Sequence, residues 1–138
     1  MATDMNTIKQ RAHEYAQEHY MKNGTSLMRA YAAGAYDERR IQQNKRVKVF
    51  LSGQVSGLEY LVAYGKFSNE ERLYSALGYP VINPMKICKK HWSWVRCMIK
   101  CLWAIFFCHK IHQLPGWQES RGARIEYRWA KFLGKEVI

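Results

Sequence analysis

The sequence lacks the features that mark exported or membrane-spanning proteins. Its N-terminus is polar and contains no apolar segment of the kind that secretory signals require. Its most apolar stretch, residues 95–108, is interrupted by Arg96 and Lys100, and it is too short and too charged to span a bilayer. We therefore expect a cytoplasmic protein with no membrane partner, in which this stretch forms a mostly buried helix.

Among the four cysteines, no two form a CxxC pair. The four are Cys88, Cys97, Cys101 and Cys108. In a reducing compartment we expect all of them to be free thiols. Three of them, Cys97, Cys101 and Cys108, follow helical spacing, so a zinc site with His91 or His109 can be drawn, but the spacing matches no common ligand pattern. We expect buried thiols, with neither a metal nor a cofactor.

Acidic residues are half as numerous as basic ones. The 138 residues include 22 Lys and Arg against 11 Asp and Glu, which gives a formal charge of +11. Residues 1–45 contribute only +2 of this charge and residues 46–138 contribute +9. This length suits one domain of ordinary size. The basic excess predicts an anionic partner for the second part of the chain.

The N-terminal 45 residues predict a helical hairpin. Residues 4–21 carry apolar groups at helical spacing, Asn23-Gly24 ends this helix, and a second helix runs to about Asn44. The first inward stripe comprises Ile8, Ala12, Tyr15, Ala16 and His19, and the second comprises Met28, Tyr31, Ala32, Ala35 and Tyr36. Because these stripes are small or aromatic, we expect the hairpin to dock on the rest of the chain or on a second subunit.

From residue 46 onward, strands and helices alternate. Apolar runs predict strands at 47–51, 80–84, 109–114 and 135–138. Helices are predicted at 68–77, 92–107 and 119–133. The first begins with a capping box from Ser68 to Glu71 and ends at Gly78. The last has an apolar stripe of Ile125, Trp129, Phe132 and Leu133. Such alternation predicts an α/β fold with a four-stranded parallel sheet flanked by helices. The loops 52–57 and 115–122 should then meet beyond the carboxyl ends of the strands.

The second of these loops has the character of an anion site. Ser120 can cap the following helix, and Gly122 allows a ligand to approach the backbone, where free N–H groups and the helix dipole favour negative charge. Glu126 lies one turn further on, and its neighbours at helical spacing, Ala123 and Ala130, are small and leave room above it. The alternative is an ordinary helix cap followed by a solvated carboxylate that pairs with Arg124 or Arg128.

The first loop, Ser-Gly-Gln-Val-Ser-Gly at 52–57, supplies backbone N–H groups and two hydroxyls. The alternative for this loop is a tight turn between strand and helix. Either loop alone is a weak signal, and it is their predicted meeting that indicates a pocket.

Three runs of residues, KVFLSGQVSG, LGYPVINP and LPGWQESRGARIEYRWAKFLGK, carry a resemblance to a known family. They resemble an uncharacterised family of short phage and bacterial proteins that is similar to the nucleoside 2-deoxyribosyltransferases and the 2′-deoxynucleoside 5′-phosphate N-hydrolases. The resemblance covers residues 46–138 and implies a Rossmann-like, deoxyribosyltransferase-type domain after the N-terminal hairpin. It also implies a homo-oligomer, such as a dimer, and a nucleotide ligand.

The resemblance implies roles for the loop residues. In those enzymes a Glu four residues after a loop Gly is the nucleophile at the anomeric carbon, which corresponds to Glu126 after Gly122. A Ser six residues before the Glu accepts the 5′-phosphate in the N-hydrolases, which corresponds to Ser120, with Arg121 beside it. The sugar and base side is assigned to Ser52, Gly53 and Gln54.

The sequence departs from that pattern at three positions. His109 and Cys101 stand where the relatives have two Asp residues. Phe50 stands where they often have an aromatic hydroxyl at the end of the first strand, and it is included among the substrate-binding candidates. Because the leaving base needs a proton, His109 is the candidate general acid. An N-glycosidic bond can break through an oxocarbenium-like state that a carboxylate stabilises or traps.

Three hypotheses follow from these residues. The first is hydrolysis of the N-glycosidic bond of a nucleoside 5′-phosphate by Glu126. The second is a catalytically inactive module that binds a nucleotide or a nucleotide-derived signal. The third is a basic nucleic-acid-binding protein that uses the cationic stripe Arg124, Arg128, Lys131 and Lys135.

Overall fold

The computed structural model describes residues 2–21, 26–33 and 38–138, and every element below lies within these ranges. Three helices precede the sheet: α1 (Ala2–Tyr20), α2 (Ser26–Ala32) and α3 (Glu38–Asn44). The remaining elements are β1 (Val49–Ser52), α4 (Tyr60–Ala76), β2 (Val81–Ile82), α5 (Pro84–Ile87), α6 (Trp94–Phe107), β3 (Lys110–Gln113), a 3₁₀ turn (Trp117–Glu119), α7 (Arg121–Phe132) and β4 (Glu136–Val137).

The strands form one four-stranded sheet in the order β2-β1-β3-β4, and every pair is parallel. Val49 lies opposite Val81 on one side and opposite Lys110 on the other. The chain reverses its direction of travel across the sheet between β1 and β3, so the carboxyl ends of these two strands form a switch point. The predicted α/β fold with a parallel, Rossmann-like sheet flanked by helices is confirmed.

β1 is buried on both faces, and its side chains alternate between two cores. Val49 and Leu51 join the core with α4 and the N-terminal helices, whereas Phe50 joins the core with α6 and α7. Ser52 follows on the same face as Phe50 because side chains alternate along a strand. This alternation directs the Ser52 hydroxyl towards α7.

The helix after β1 begins eight residues before the predicted capping box. It starts at Tyr60 rather than Ser68, and Ala63 and Phe67 in its early turns are fully buried. Tertiary burial of these residues extends the helix past a start that local capping alone favours. The predicted end is confirmed, because Gly78 adopts a φ of +95° just after the helix.

The N-terminal segment differs from a simple hairpin. The prediction of one second helix that reaches Asn44 is wrong, because α2 ends at Ala32 and α3 begins at Glu38. The predicted break at Asn23-Gly24, the side chain of Ile8, and the residues Ala35 and Tyr36 lie outside the described residues. Ala16, Met28, Tyr31 and Ala32 share a core with Leu51 and Phe67 of the sheet domain. The N-terminal helices therefore dock on α4, as expected.

Helix α6 is far more exposed than its composition predicts. Only Met98, Cys101 and Ile105 are buried. The exposed apolar face consists of Trp94, Val95, Ile99, Trp103, Phe106 and Phe107, and we call it the α6 apolar face. The expectation of a mostly buried helix is wrong, because α7 and β1 cover only one of its sides. Among the described residues no helix is long and apolar enough to cross a membrane.

Candidate functional site

A cavity of about 270 Å³ lies at the switch point between β1 and β3. Both predicted loops contribute to it, the first through Gly53, Val55 and Ser56 and the second through Ser120 and Gly122. The beginning of α7 forms the floor with Ala123 and Glu126. The predicted meeting of the two loops is therefore present. A third wall, from α5 to α6, completes the cavity and includes Met85, Cys88, Lys89, Lys90, Trp92, Ser93, Trp94, Cys97, Met98 and Cys101.

Glu126 is the only carboxyl group among the described residues that line this cavity. Its side chain is 7% exposed, and neither Glu126 Oε2 nor the nearby Ser52 Oγ has a hydrogen-bond partner among the described residues. Burial raises the pKa of Glu126 to about 8, against a lowering by the Ser52 hydroxyl. The carboxyl is therefore mostly neutral at pH 7. The alternative of a solvated carboxylate paired with Arg124 or Arg128 is wrong.

The start of α7 presents hydrogen-bond donors to the cavity. Ser120 is the N-cap, and its Oγ accepts from the Ala123 N–H at 3.2 Å, which leaves the hydroxyl proton free to be donated. Arg121 and Gly122 occupy the first two helical positions, whose N–H groups have no acceptor within a helix. The Arg121 guanidinium lies 5.2 Å from the centre of the Trp94 ring at the rim. Of the three residues predicted to bind an anion here, Ser120 and Gly122 line the cavity, whereas Arg121 is not among its described lining residues.

Two glycines are fixed by packing. A Cβ on Gly122 would approach Met98 Sδ to 3.1 Å and Trp94 Nε1 to 3.6 Å, so this glycine allows α6 to lie against the first turn of α7. A Cβ on Gly53 would approach Leu114 Cβ to 2.9 Å, so this glycine allows the first loop to pack against the residue that follows β3. Their role includes close contact between segments of the chain, whereas the sequence suggested only room for a ligand.

The first loop is folded on itself. Gln54 Nε2 donates to the backbone oxygen of Ser56 at 3.3 Å, and Gly57 has a φ of +86°. Gln54 therefore is not among the residues that line the cavity, although its neighbour Gly53 is. Phe50 is fully buried in the core beneath α6 and α7 and does not line the cavity either. The prediction that Phe50 contacts substrate is wrong, because it lies two residues before the end of its strand.

His109 lies at the amino ends of the strands, opposite the end that carries the cavity. The ring nitrogen Nδ1 accepts from the backbone N–H of Lys48 at 3.0 Å, and the backbone N–H of His109 donates to the backbone oxygen of Lys48 at 2.9 Å. Both residues precede their strands, whereas the cavity lies beyond the carboxyl ends. His109 is therefore excluded as general acid, and no other histidine is among the described lining residues.

The third wall contains the site residues that the sequence did not predict. Lys89 and Lys90 line the cavity, and Lys90 Nζ lies 4.7 Å from the centre of the Tyr60 ring. The segment is positioned by Asn83, whose Oδ1 accepts from the Met85 N–H at 2.9 Å and so begins α5. The run of basic residues after α5 was the available signal, but its path across the cavity depends on tertiary packing.

The cysteines do not remain four separate thiols. Cys88 and Cys97 form a disulfide, and Cys101 and Cys108 are free and buried. The expectation that all four are reduced is therefore wrong in this structure. Burial, followed by the charge of Glu126, raises the pKa of the Cys101 thiol above its usual range. Cys101 and Glu126 thus face the same space, whereas Cys108 packs beneath β3 with Phe50.

A second buried polar cluster joins the N-terminal segment to the sheet domain. The carboxylate of Glu70 accepts from the Tyr15 hydroxyl and, at 2.9 Å, from the Tyr20 hydroxyl, and it lies 3.1 Å from His112 Nε2. His112 Nδ1 lies 2.8 Å from the Tyr74 hydroxyl. Burial alone would raise the pKa of Glu70, but hydrogen bonding and charge from His112, together with the two tyrosine hydroxyls, hold it below its usual value.

Comparison with known proteins gives a family. Residues 47–138 match the family described as a domain of unknown function, DUF4406. No curated protein and no solved structure matches the chain. The matched segment contains the whole sheet, both cavity loops and Glu126, and it covers more than half of the chain. The chain therefore belongs to the DUF4406 family.

Proposed function

We propose that the protein binds a nucleoside 5′-phosphate in the cavity between β1 and β3 and hydrolyses its N-glycosidic bond with Glu126 as nucleophile. The observation that carries the proposal is a buried carboxyl group, with an unpartnered oxygen, beneath a helix N-terminus that faces the same cavity. A ligand with an anion at one end and an electrophilic carbon at the other suits these two groups.

The phosphate end of such a ligand suits the start of α7. The Ser120 hydroxyl and the N–H groups of Arg121 and Gly122 are donors there, and the helix dipole adds positive potential. Lys89 and Lys90 supply cations from the third wall. While Glu126 is neutral, it does not repel the phosphate as the ligand binds.

The reaction requires the ionised form of Glu126. One carboxylate oxygen forms a bond to C1′ while the C1′–N bond breaks and its electron pair leaves with the base, which takes up a proton from solvent water. A second water then attacks C1′ and gives up a proton to the solvent while the bond between C1′ and the carboxylate breaks, so that the sugar phosphate is released and the carboxylate is regenerated. Because burial raises the pKa of Glu126 to about 8, we expect hydrolysis to accelerate as the pH rises through that value. The groups that face this carboxyl are Ser52 and Cys101.

The test is to incubate the protein with a panel of deoxynucleoside 5′-monophosphates between pH 6 and pH 9 and to measure free base by chromatography. Glu126→Gln should abolish base release while calorimetry still detects nucleotide binding. The matched control is Glu119→Gln, because Glu119 is exposed and directly precedes the cap residue Ser120. Release of base by Glu126→Gln at the rate of the original protein would contradict the assignment.

A second function, binding without turnover, is favoured by a specific observation. The described cavity walls contain no second carboxyl and no imidazole to protonate the departing base. In this alternative the neutral Glu126 donates a hydrogen bond to the ligand. Calorimetry would then show binding of a nucleoside 5′-phosphate, with no base released at any pH, and Glu126→Gln would weaken binding.

The nucleic-acid hypothesis ranks behind both. Arg124, Arg128 and Lys131 are exposed on α7, and the rings of Tyr127 and Phe132 lie beside Lys131, as that hypothesis requires. Exposed cationic faces are common, however, and the sequence carries no nucleic-acid-binding motif. Its signature would be oligonucleotide affinity that falls steeply with salt and is insensitive to Glu126→Gln.

We also propose that two copies associate through the α6 apolar face. Trp103, Phe106 and Phe107 contact one another there, with ring centres 5.2–6.1 Å apart, and Trp103 is 63% exposed. Clustered exposed aromatics are typical of interfaces between protein chains. Arg96 and Lys100 flank the face and would lie at the rim of such a contact.

A further inference from the structure

Three cysteine sulfurs meet in the third wall of the cavity. Cys88 ends α5, and Cys97 and Cys101 lie one turn apart on α6. All three sulfurs lie within 4.8 Å of one another. Cys101 Sγ is 3.8 Å from Cys88 Sγ and 3.9 Å from Cys97 Sγ. A disulfide needs two of these residues, so the position of the third requires another explanation.

We propose that reduction of the Cys88–Cys97 disulfide creates a three-cysteine site for a soft divalent cation such as Zn²⁺. Tetrahedral coordination with metal–sulfur bonds of about 2.3 Å places ligand sulfurs about 3.8 Å apart. Cys101 already stands at this separation from both partners. Only Cys88 and Cys97 have to separate once their bond is broken.

The surrounding chain can accommodate this change. Lys89, Lys90 and His91, which follow Cys88, are exposed and are not held by a helix. A trialkylphosphine reductant supplies the two electrons that break the S–S bond and becomes a phosphine oxide, which leaves two thiols beside Cys101. Binding of the cation then displaces protons from the three thiols.

The fourth coordination position faces the cavity. All three cysteines line the same space as Glu126, so water or a ligand atom can complete the coordination. Three protein ligands with one open position is the arrangement of catalytic zinc sites, whereas structural sites use four protein ligands. The sequence alone did not indicate this set for two reasons. Eight residues separate Cys88 from Cys97 and three separate Cys97 from Cys101, which matches no common ligand spacing, and helical spacing pointed to Cys108 rather than Cys88 as the third ligand.

The experiment measures Co²⁺ binding by absorption in the full-length protein without nucleotide, so it does not depend on the proposed function. Phosphine-reduced protein should bind one equivalent of Co²⁺ with a thiolate-to-cobalt charge-transfer band, and Zn²⁺ should displace it. Protein that retains the disulfide should show no such band. This comparison of two redox states needs no variant.

Two matched variants locate the site. Cys101→Ser should weaken Co²⁺ binding by at least about tenfold and reduce the charge-transfer intensity, since a ligand is lost. Cys108→Ser, which removes the other buried free thiol, should leave both unchanged. Absence of the band in reduced protein, an equal loss in Cys108→Ser, or an equal band in the oxidised protein would each overturn the proposal.

Discussion

At the scale of single residues, two buried glutamates show that burial alone does not determine the charge of a carboxyl group. Glu70 and Glu126 are 1% and 7% exposed. Tyr15, Tyr20 and His112 stabilise the charge of Glu70, whereas for Glu126 only the Ser52 hydroxyl lowers the pKa that burial raises. Their pKa values therefore move in opposite directions, and so does their effect on stability with pH.

For Glu126 we expect stability to fall as pH rises. Between its ordinary pKa of 4.5 and its folded value of about 8, the unfolded chain releases the proton that the folded protein retains. The free energy of unfolding should therefore decrease over this window and level off above it. Relative to the original protein, Glu126→Gln should gain on the order of a few kcal/mol above that window and little near pH 4. Urea unfolding across this range measures the difference, and a constant difference at all pH values would contradict it.

For Glu70 the sign is reversed. Its lowered pKa stabilises the folded protein above about pH 4.5, and this contribution is lost as the pH falls through the folded value. Glu70→Gln removes the buried charge that two tyrosine hydroxyls and His112 stabilise and leaves only one acceptor oxygen, so we expect a loss of about 3 kcal/mol or more. The control is Glu71→Gln, which breaks a more exposed pair with Lys86 and should cost less than about 1 kcal/mol. Equal losses in urea unfolding would show that the Glu70 cluster does not secure the fold.

At the scale of elements, Gly78 allows the end of α4 to pack against α3. Its φ is +95°, and a Cβ there would lie 2.3 Å from the backbone oxygen of Ile41. Gly134 also has a positive φ of +73° after a helix, but a Cβ there would meet nothing within 4 Å. Both Ala substitutions incur the left-handed backbone cost of roughly 1 kcal/mol. Gly78→Ala should cost about 1–3 kcal/mol more, because α3 must also shift. Equal thermal destabilisation would show that α3 does not pack there.

The elements also show what the sequence can predict. The apolar run that predicted a strand at 47–51 and the glycine at 78 are local signals. The strand overlaps β1 at Val49–Ser52, and Gly78 ends α4 as predicted. The meeting of the two loops follows from parallel strand order, which alternation of strands and helices indicates. The predicted roles of His109 and Phe50 are wrong because the ligand end of a strand lies beyond its carboxyl end, whereas His109 precedes its strand and Phe50 lies within its strand. The partners of Glu70 lie 42–55 residues away in sequence, and no local pattern indicates such contacts.

At the scale of the whole molecule, the exposed charges on α6 and α7 are all cationic, since Glu126 is buried. Two copies joined through the α6 apolar face bring like charges together at the rim, so added salt should strengthen the proposed dimer by screening. Trp103→Lys should convert the dimer to the 16.3 kDa monomer in light scattering. Leu61→Lys, on the exposed side of α4, is the control and should not alter the mass. A monomer at all salt concentrations in the original protein would contradict this association.

The Glu70 cluster has a consequence for comparisons within the family. The acid belongs to the matched segment, yet Tyr15 and Tyr20, two of the groups that stabilise its charge, come from a helix that precedes that segment. A relative without such a leading helix would expose this carboxylate on an otherwise apolar side of the sheet. We expect an acid at this position and a tyrosine-bearing helix ahead of the first strand to be inherited together, so that either one predicts the other in a new sequence.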